Sequence, residues 1–224
     1  MSNITKTWFY QIDTHFGNHI EIEKDIYTSL FIKDLENDIT LSIWENSKVD
    51  LYTFFSSNAP KNISIYQKDN ASKLSVKGLF IWDNHNLVSN ISSHISGNNS
   101  VSHIHIISVV KESHIGIDSS IHISKDSEKI EASLDLENIF IGKKWTLSSL
   151  PNLFIDANDV QVSHSSKTHR IEEDKLFYLE SRWLDIQSSI KLMTESYFKK
   201  TFTCLEMLDK DLYDNLYEEF LSLN

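Results

Sequence analysis

The chain has 224 residues, 21 of them Lys or Arg against 32 Asp or Glu, for a formal net charge of −11. Basic residues never run longer than two in a row, which excludes nucleic acid as the main partner, because phosphate neutralisation needs clustered cations. The single cysteine, Cys204, excludes an internal disulfide and any all-cysteine metal site built from one chain.

The length is enough to bury a substantial core, and one elongated domain with a helical tail fits it best. The opening stretch, MSNITKTWFYQIDTHFGNHIEIEKD, carries no apolar run long enough for a signal segment or a membrane span. It predicts a soluble, cytoplasmic protein with no membrane partner. From about Gly17 to His169 short strands follow one another. Ile20 with Ile22, Leu30 with Ile32, Leu41 with Ile43, Val49 with Leu51, Ile63 with Ile65 and Leu74 with Val76 form period-two pairs. The series continues with Ile104 and Ile106, Ile115 and Ile117, Ile121 and Ile123, and Leu134 and Leu136. Asn, Asp, Ser and Lys supply the turns, as in ENSK at 45–48, SSNAPKN at 56–62, DNHN at 83–86, SGNNS at 96–100 and KDSEK at 125–129.

This spacing fits either a sandwich or a solenoid. Five Gly and two Pro in the whole chain are few for a sandwich that relies on tight primed hairpins, whereas stacked coils can turn through Asn and Ser corners. The composition therefore favours a parallel β-helix over residues 1–170, although no exact repeat is visible. A helical region over 171–224 is expected to cover an end or flank that would otherwise expose strand edge.

Between Pro151 and Lys200 the periodicity changes. Leu153 with Ile155 and Val160 with Val162 read as the last strands, with a turn at 156–159. Leu176, Leu179 and Trp183 then give a short amphipathic helix, and Ile186, Ile190, Met193 and Tyr197 a second. After Lys200, the stripe Phe202, Leu205, Leu208, Leu212, Leu216 and Phe220 reads as one more helix with an acidic opposite face. Its bland reading is packing on the β-helix; its functional reading is a docking surface. His164 lies near the junction. Alternation places it on the face of Val160 and Val162, at the end of its strand, as a partly desolvated neutral imidazole able to ligate iron. On the residues alone, a core-edge histidine satisfied by a backbone carbonyl explains it as well.

The run DANDVQVSHSS, followed by EEDKLFYLESR and a further helix opened by Asp185, resembles the C-terminal core motif of the SufD/SufB family of iron–sulfur cluster assembly subunits. Asp156, Asp159, Val160, Ser163, His164, Glu172, Glu173, Leu176, Phe177, Tyr178, Leu179, Ser181 and Arg182 stand where that pattern wants them. The resemblance implies a right-handed parallel β-helix that is not itself an enzyme. It also implies docking of a SufC-type ABC ATPase on the region from Glu172 to Lys200, with Glu173, Leu176, Phe177, Tyr178 and Arg182 as the candidate contacts. His164 becomes a candidate for an interface with a SufB-like paralogue or a second copy. There a transient iron–sulfur cluster would form with a cysteine of the partner, none being bound by this chain alone. SufB-type subunits carry a β-helix cysteine and glutamates flanking the histidine; here the flanks are Ser163 and Ser165, so the chain is SufD-like. Two departures stand out. Ser165 replaces the Gly after the histidine, and Trp183 replaces the Gly after Ser-Arg. A bulky residue in the left-handed position that closes a helix costs about 1–2 kcal/mol, so the first helix is expected to end differently or to run on toward Asp185.

Two other readings remain. One is a diverged adaptor that binds the ATPase without building clusters, for which the chain's shortness relative to the family speaks. The other, a β-helix carbohydrate-active enzyme, would need secretion and a cleft of paired carboxylates. Phosphate-loop, G-x-S-x-G, H-E-x-x-H and C-x-x-C motifs are absent from the sequence, and the acids at 172–174 suit a helix's first turn. His103 and His105 share one outward strand face, which His94, His114 and His122 would join only if neighbouring coils stack in register. An organellar matrix stays open beside the cytoplasm.

Overall fold

The computed structural model of the chain describes residues 2–83, 86–141, 146–171 and 173–223. In chain order the strands are β1 (Ser2–Ile4), β2 (Phe9–Ile12), β3 (His19–Ile22), β4 (Tyr27–Lys33), β5 (Ile39–Ile43), β6 (Lys48–Phe55) and β7 (Asn62–Gln67). There follow β8 (Lys73–Asp83), β9 (Asn86–Ile95), β10 (Val101–Lys111), β11 (His114–Ile123), β12 (Glu128–Ile141), β13 (Thr146–Ile155) and β14 (Asp159–Arg170). Three helices close the chain: α1 (Glu173–Glu180), α2 (Ile186–Leu208) and α3 (Lys210–Leu223).

Odd-numbered strands form one seven-stranded sheet and even-numbered strands the other, each in sequential order and parallel throughout. The chain thus alternates between two sheets as it advances, which is a β-solenoid. In-register stacking turns the period-two pairs into columns. Tyr10, Leu30, Leu51, Val76, Ile104 and Leu134 succeed one another on the inner face of the even sheet, and all but Tyr10 are at most 2 % exposed. Each added coil buries its own column residue against the last, so the core grows along the axis.

The corners use the left-handed conformation in place of glycine. Asp25, Asn46, Ala71, Asn99 and Lys129 have φ between 55° and 61° and stand where the chain leaves the odd sheet for the even one. Their amides bond the next coil, Asn46 to the Asn70 carbonyl at 3.0 Å and Ala71 to that of Asn98 at 2.7 Å. Asparagine side chains brace the stack, Asn70 Oδ1 accepting from the Asn98 amide at 2.7 Å and Asn98 Oδ1 from that of Glu128 at 2.8 Å. The Asn and Ser corners expected from the composition are what the solenoid uses. The DNHN turn falls partly on residues 84–85, outside the described residues.

Three readings of the sequence are corrected. The helices do cover a flank, but what they cover is not open strand edge: α2 and α3 lie on the outer face of the even sheet. There Phe31, Phe54, Leu79 and Ile107 face outward and join Phe198, Phe202, Leu205, Leu216 and Phe220 in a second core, because outward apolar columns, rather than open edges, are the surface that needs burying. The tail is not a separate helix from residue 201, since α2 continues through Leu208 and α3 begins only after Asp209, whose carboxylate accepts from the Leu212 amide at 2.9 Å. Strands β1, β2 and β9 were not read from the pattern. In β9 the inward positions include Ser89 and Ser93, which break the apolar alternation. Ser89 Oγ donates to the Pro60 carbonyl at 2.8 Å, and the Ser93 and Ser102 hydroxyls lie 3.0 Å apart.

Candidate functional site

At the C-terminal end of the solenoid both sheets stop bare: β13 and β14 have no strand beyond them among the described residues. Their side chains are half-buried or exposed from end to end. Val160 and Val162 still pack partly on the core. Next on their face comes His164, paired with Leu134. It therefore occupies the end of the column of buried aliphatics, with its ring exposed at the open end of the solenoid. The sequence placed it at the end of a strand and partly desolvated; it lies in the middle of β14 and is exposed, because β14 runs on to Arg170 and no coil covers it. Its Nδ1 is 3.3 Å from the Pro151 carbonyl of β13, so the histidine ties together the two bare strands. On its flanks Ser163 pairs with Ser133, and Ser165 Oγ donates to Asp135 Oδ1 at 2.6 Å.

The second surface follows directly along the chain. Glu173 opens α1, although its side chain, like all of Glu172, lies outside the described residues. Leu176 packs on the second core, while Phe177 is 74 % and Tyr178 57 % exposed. The Arg182 guanidinium lies over the Tyr178 ring at 5.4 Å. Between α1 and α2 runs a groove of about 360 Å³ lined by Lys175, Tyr178, Leu179, Leu192, Met193, Ser196 and Tyr197. The structure thus gathers four of the five expected docking residues at α1 and the turn after it.

α1 does not end as the sequence suggests. The Trp183 amide bonds the Glu180 carbonyl at 3.0 Å and the Leu184 amide reaches the Leu179 carbonyl at 3.4 Å, the paired bonds of a left-handed helix stop. Trp183 takes φ 68°, so this chain keeps the glycine-type closure with a tryptophan in it. The helical periodicity had counted Trp183 into the apolar face; it is instead 98 % exposed. Asp185 then caps α2, its Oδ1 accepting from the Ser188 amide at 2.9 Å, and these bonds hold its carboxyl below the usual range.

The remaining histidines separate. His103 and His105 do face outward, but on β10 of the even sheet, whereas His94, His114 and His122 belong to the odd sheet. No group of three or more His, Cys, Asp or Glu side chains suited to a metal ion occurs among the described residues. Burial, with help from Lys200 and Lys77 against the opposing charges of Asp135 and Glu137, pushes the His105 imidazole below its usual value. His94 and His122 form a stack that the sequence reading missed. Tyr66, His94, His122 and Phe154 lie ring on ring, with centroids 4.8, 4.5 and 4.4 Å apart. The signal was present, since SIY at 64–66, SSH at 92–94 and SIH at 120–122 recur at one fixed spacing, the length of one coil.

A parallel β-solenoid with one helix-clad face and a C-terminal helical region defines the class of fold. Residues 37–197 match the family model described as "SUF system FeS cluster assembly, SufBD core domain", and the chain belongs to that family. Among curated relatives, the chloroplastic protein ABCI7 of Arabidopsis thaliana is 26 % identical over 36 % of this chain and 17 % of its own length. The iron–sulfur cluster assembly protein SufD of Escherichia coli K12 is 29 % identical over 33 % of this chain and 17 % of its own. The SufBD family protein ycf24 of Porphyra purpurea is 27 % identical over 32 % of this chain and 15 % of its own. The matched segment thus spans less than a fifth of each of these relatives.

No described helix is long and apolar enough to cross a membrane.

Proposed function

We propose that the chain is a SufD-like, non-catalytic subunit of an iron–sulfur cluster scaffold, working in the cytoplasm or an organellar matrix. The observation that carries this reading is His164, a polar residue ending a column of buried aliphatics at the C-terminal end of the solenoid, where both sheets stop. Unpaired strand edges are templates for another chain, so a SufB-like paralogue or a second copy adding its own last coil would bring its residues up to His164. The imidazole would then ligate iron of the cluster as cargo, while the thiolate comes from the partner, because Cys204 lies on α2, with its Sγ 4.0 Å from Lys77 Nζ. The SufC-type ATPase would dock on α1 and the start of α2, through Glu173, Leu176, Phe177, Tyr178 and Arg182. Only two residues, 171 and 172, separate β14 from α1, so movement of the docked ATPase would be passed along the chain to the open end.

The test is anaerobic co-purification of this chain with the SufC-type ATPase and the SufB-like protein of the same organism, with iron and sulfide assayed for wild type and His164→Ala. A complex whose iron falls several-fold in the variant supports the reading. The absence of a cysteine from the solenoid favours one alternative, an adaptor. A stable complex with no iron in either form would establish that instead.

A further inference from the structure

Trp183 combines two unfavourable features. Its φ of 68° lies where a Cβ is strained and glycine is not, and its side chain is 98 % exposed. Among the described residues no ring or cation packs on its indole. Phe177, Tyr178 and Ile186, close to it along the chain, are exposed at 74 %, 57 % and 52 %, and Tyr178 lines the groove between α1 and α2. A strained and almost fully exposed indole, close along the chain to other exposed rings, is a surface that another molecule can bury.

We propose that Trp183 is the anchor by which this chain selects its ATPase: the indole enters an apolar pocket on the ATPase whose rim carries Lys and Arg. The inference rests on the reading that α1 and the start of α2 are the ATPase-docking surface. The rim's charge follows from complementarity, since residues 173–223 hold eleven acidic against six basic residues, Asp174, Glu180 and Asp185 outnumber Lys175 and Arg182 near the turn, and the whole chain is at −11. A large aromatic ring at the centre of an apolar patch, ringed by charge, is the usual composition of a binding hot spot. The same ring also excludes partners, because a surface fitted closely to a glycine at this turn collides with an indole. Trp183 therefore distinguishes the ATPase that has the pocket from one that does not.

The test uses the full chain and the purified SufC-type ATPase of the same organism, titrated by calorimetry against wild type, Trp183→Gly, Trp183→Asn and Phe177→Asp. Glycine and asparagine both tolerate the left-handed conformation, so at least one variant should melt at or above the wild-type temperature. Both should bind about 10- to 100-fold more weakly, and the blue shift of tryptophan emission on binding should be lost. Wild-type affinity should fall as salt is raised. If Phe177→Asp abolishes binding while both Trp183 variants bind as wild type, the docking reading stands and the anchor is overturned. If Phe177→Asp also binds as wild type, the docking reading itself fails, and the anchor with it.

Discussion

Ala71 shows how single residues set the stability of this solenoid. It holds φ 57° at a corner where its amide bonds the Asn98 carbonyl, a conformation that strains an L side chain by about 1–2 kcal/mol. Its neighbours in the corner column, Asn46 and Asn99, suit that conformation better. Ala71→Gly removes the strain and gives part of it back as unfolded-chain entropy, so a gain of about 0.5–1 kcal/mol is expected from urea unfolding. A loss would mean that the Ala71 methyl packs more than it strains. The stacked imidazoles make a different prediction. Burial first, and then the charge of His122, hold His94 below the usual value of 6.5, and burial does the same to His122. The unfolded chain therefore binds more protons than the folded one below that value. Stability is complete above pH 6.5 and falls as pH drops toward the depressed folded values. The Ser120 hydroxyl 3.0 Å from His122 Nε2 serves either protonation state. Replacing both histidines by Phe keeps the stack and should flatten the slope of urea midpoints between pH 5 and 7. An unchanged slope in the double variant would place the acid sensitivity elsewhere.

At the scale of elements, the contact of α2 with the even sheet carries the most. Phe198 is fully buried and its ring lies 6.4 Å from Phe54 on the sheet and 5.0 Å from both Phe202 and Phe220 on the helices. Phe198→Ala should cost about 3–5 kcal/mol, seen as a lower thermal midpoint and earlier proteolysis of the helical region than of the strands. Equal protection of both parts would show that the helices do not depend on this core. The sheet's outward columns explain where the helices stop. The column Phe54, Leu79, Ile107 continues as Glu137 and Lys167, and Lys200 of α2 closes the boundary, its Nζ 3.2 Å from Glu137 Oε2. What was legible in the sequence follows from the same geometry. Inward Ile, Leu and Val columns are a local period-two signal, so most strands could be read, whereas the solenoid was chosen over a sandwich by the scarcity of Gly and Pro and by the family resemblance. The serines inside β9, the left-handed tryptophan and the run of α2 past Thr201 could not. Ser89 and Ser93 are satisfied by residues of other coils, Trp183 breaks the helical apolar pattern by conformation, and the end of α2 is set by the Asp209 cap rather than by a proline or glycine. His164 was found through its motif, but its position in mid-strand at an open end depends on β14 being the last coil, which no local pattern states.

For the whole molecule, the decisive feature is asymmetry. One face of the solenoid is buried under α2 and α3 while the last coil is bare, and stability in a stacked array depends on neighbours. Amides of β13 and β14, with one neighbouring strand each among the described residues, should exchange early, except at the C-terminal end of β14, where His169 Nε2 lies 3.3 Å from the Tyr197 hydroxyl of α2. Those of β6, β8 and β10, enclosed between the inner core and the helices, should exchange only with global unfolding. The two proposed surfaces lie on different parts of the molecule, so two partners must leave two footprints. Adding the SufC-type ATPase should slow exchange in α1 and the first turns of α2 and leave β13 and β14 as they were. Adding the SufB-like protein should slow β13 and β14, from Leu150 to Lys167, because edge pairing satisfies their free amides and covers Phe154 and Leu150, which are 53 % and 56 % exposed alone. Protection by the SufB-like protein that falls on α1, with β14 exchanging as fast as before, would mean that His164 faces no partner and that the open end is not the cluster-building interface.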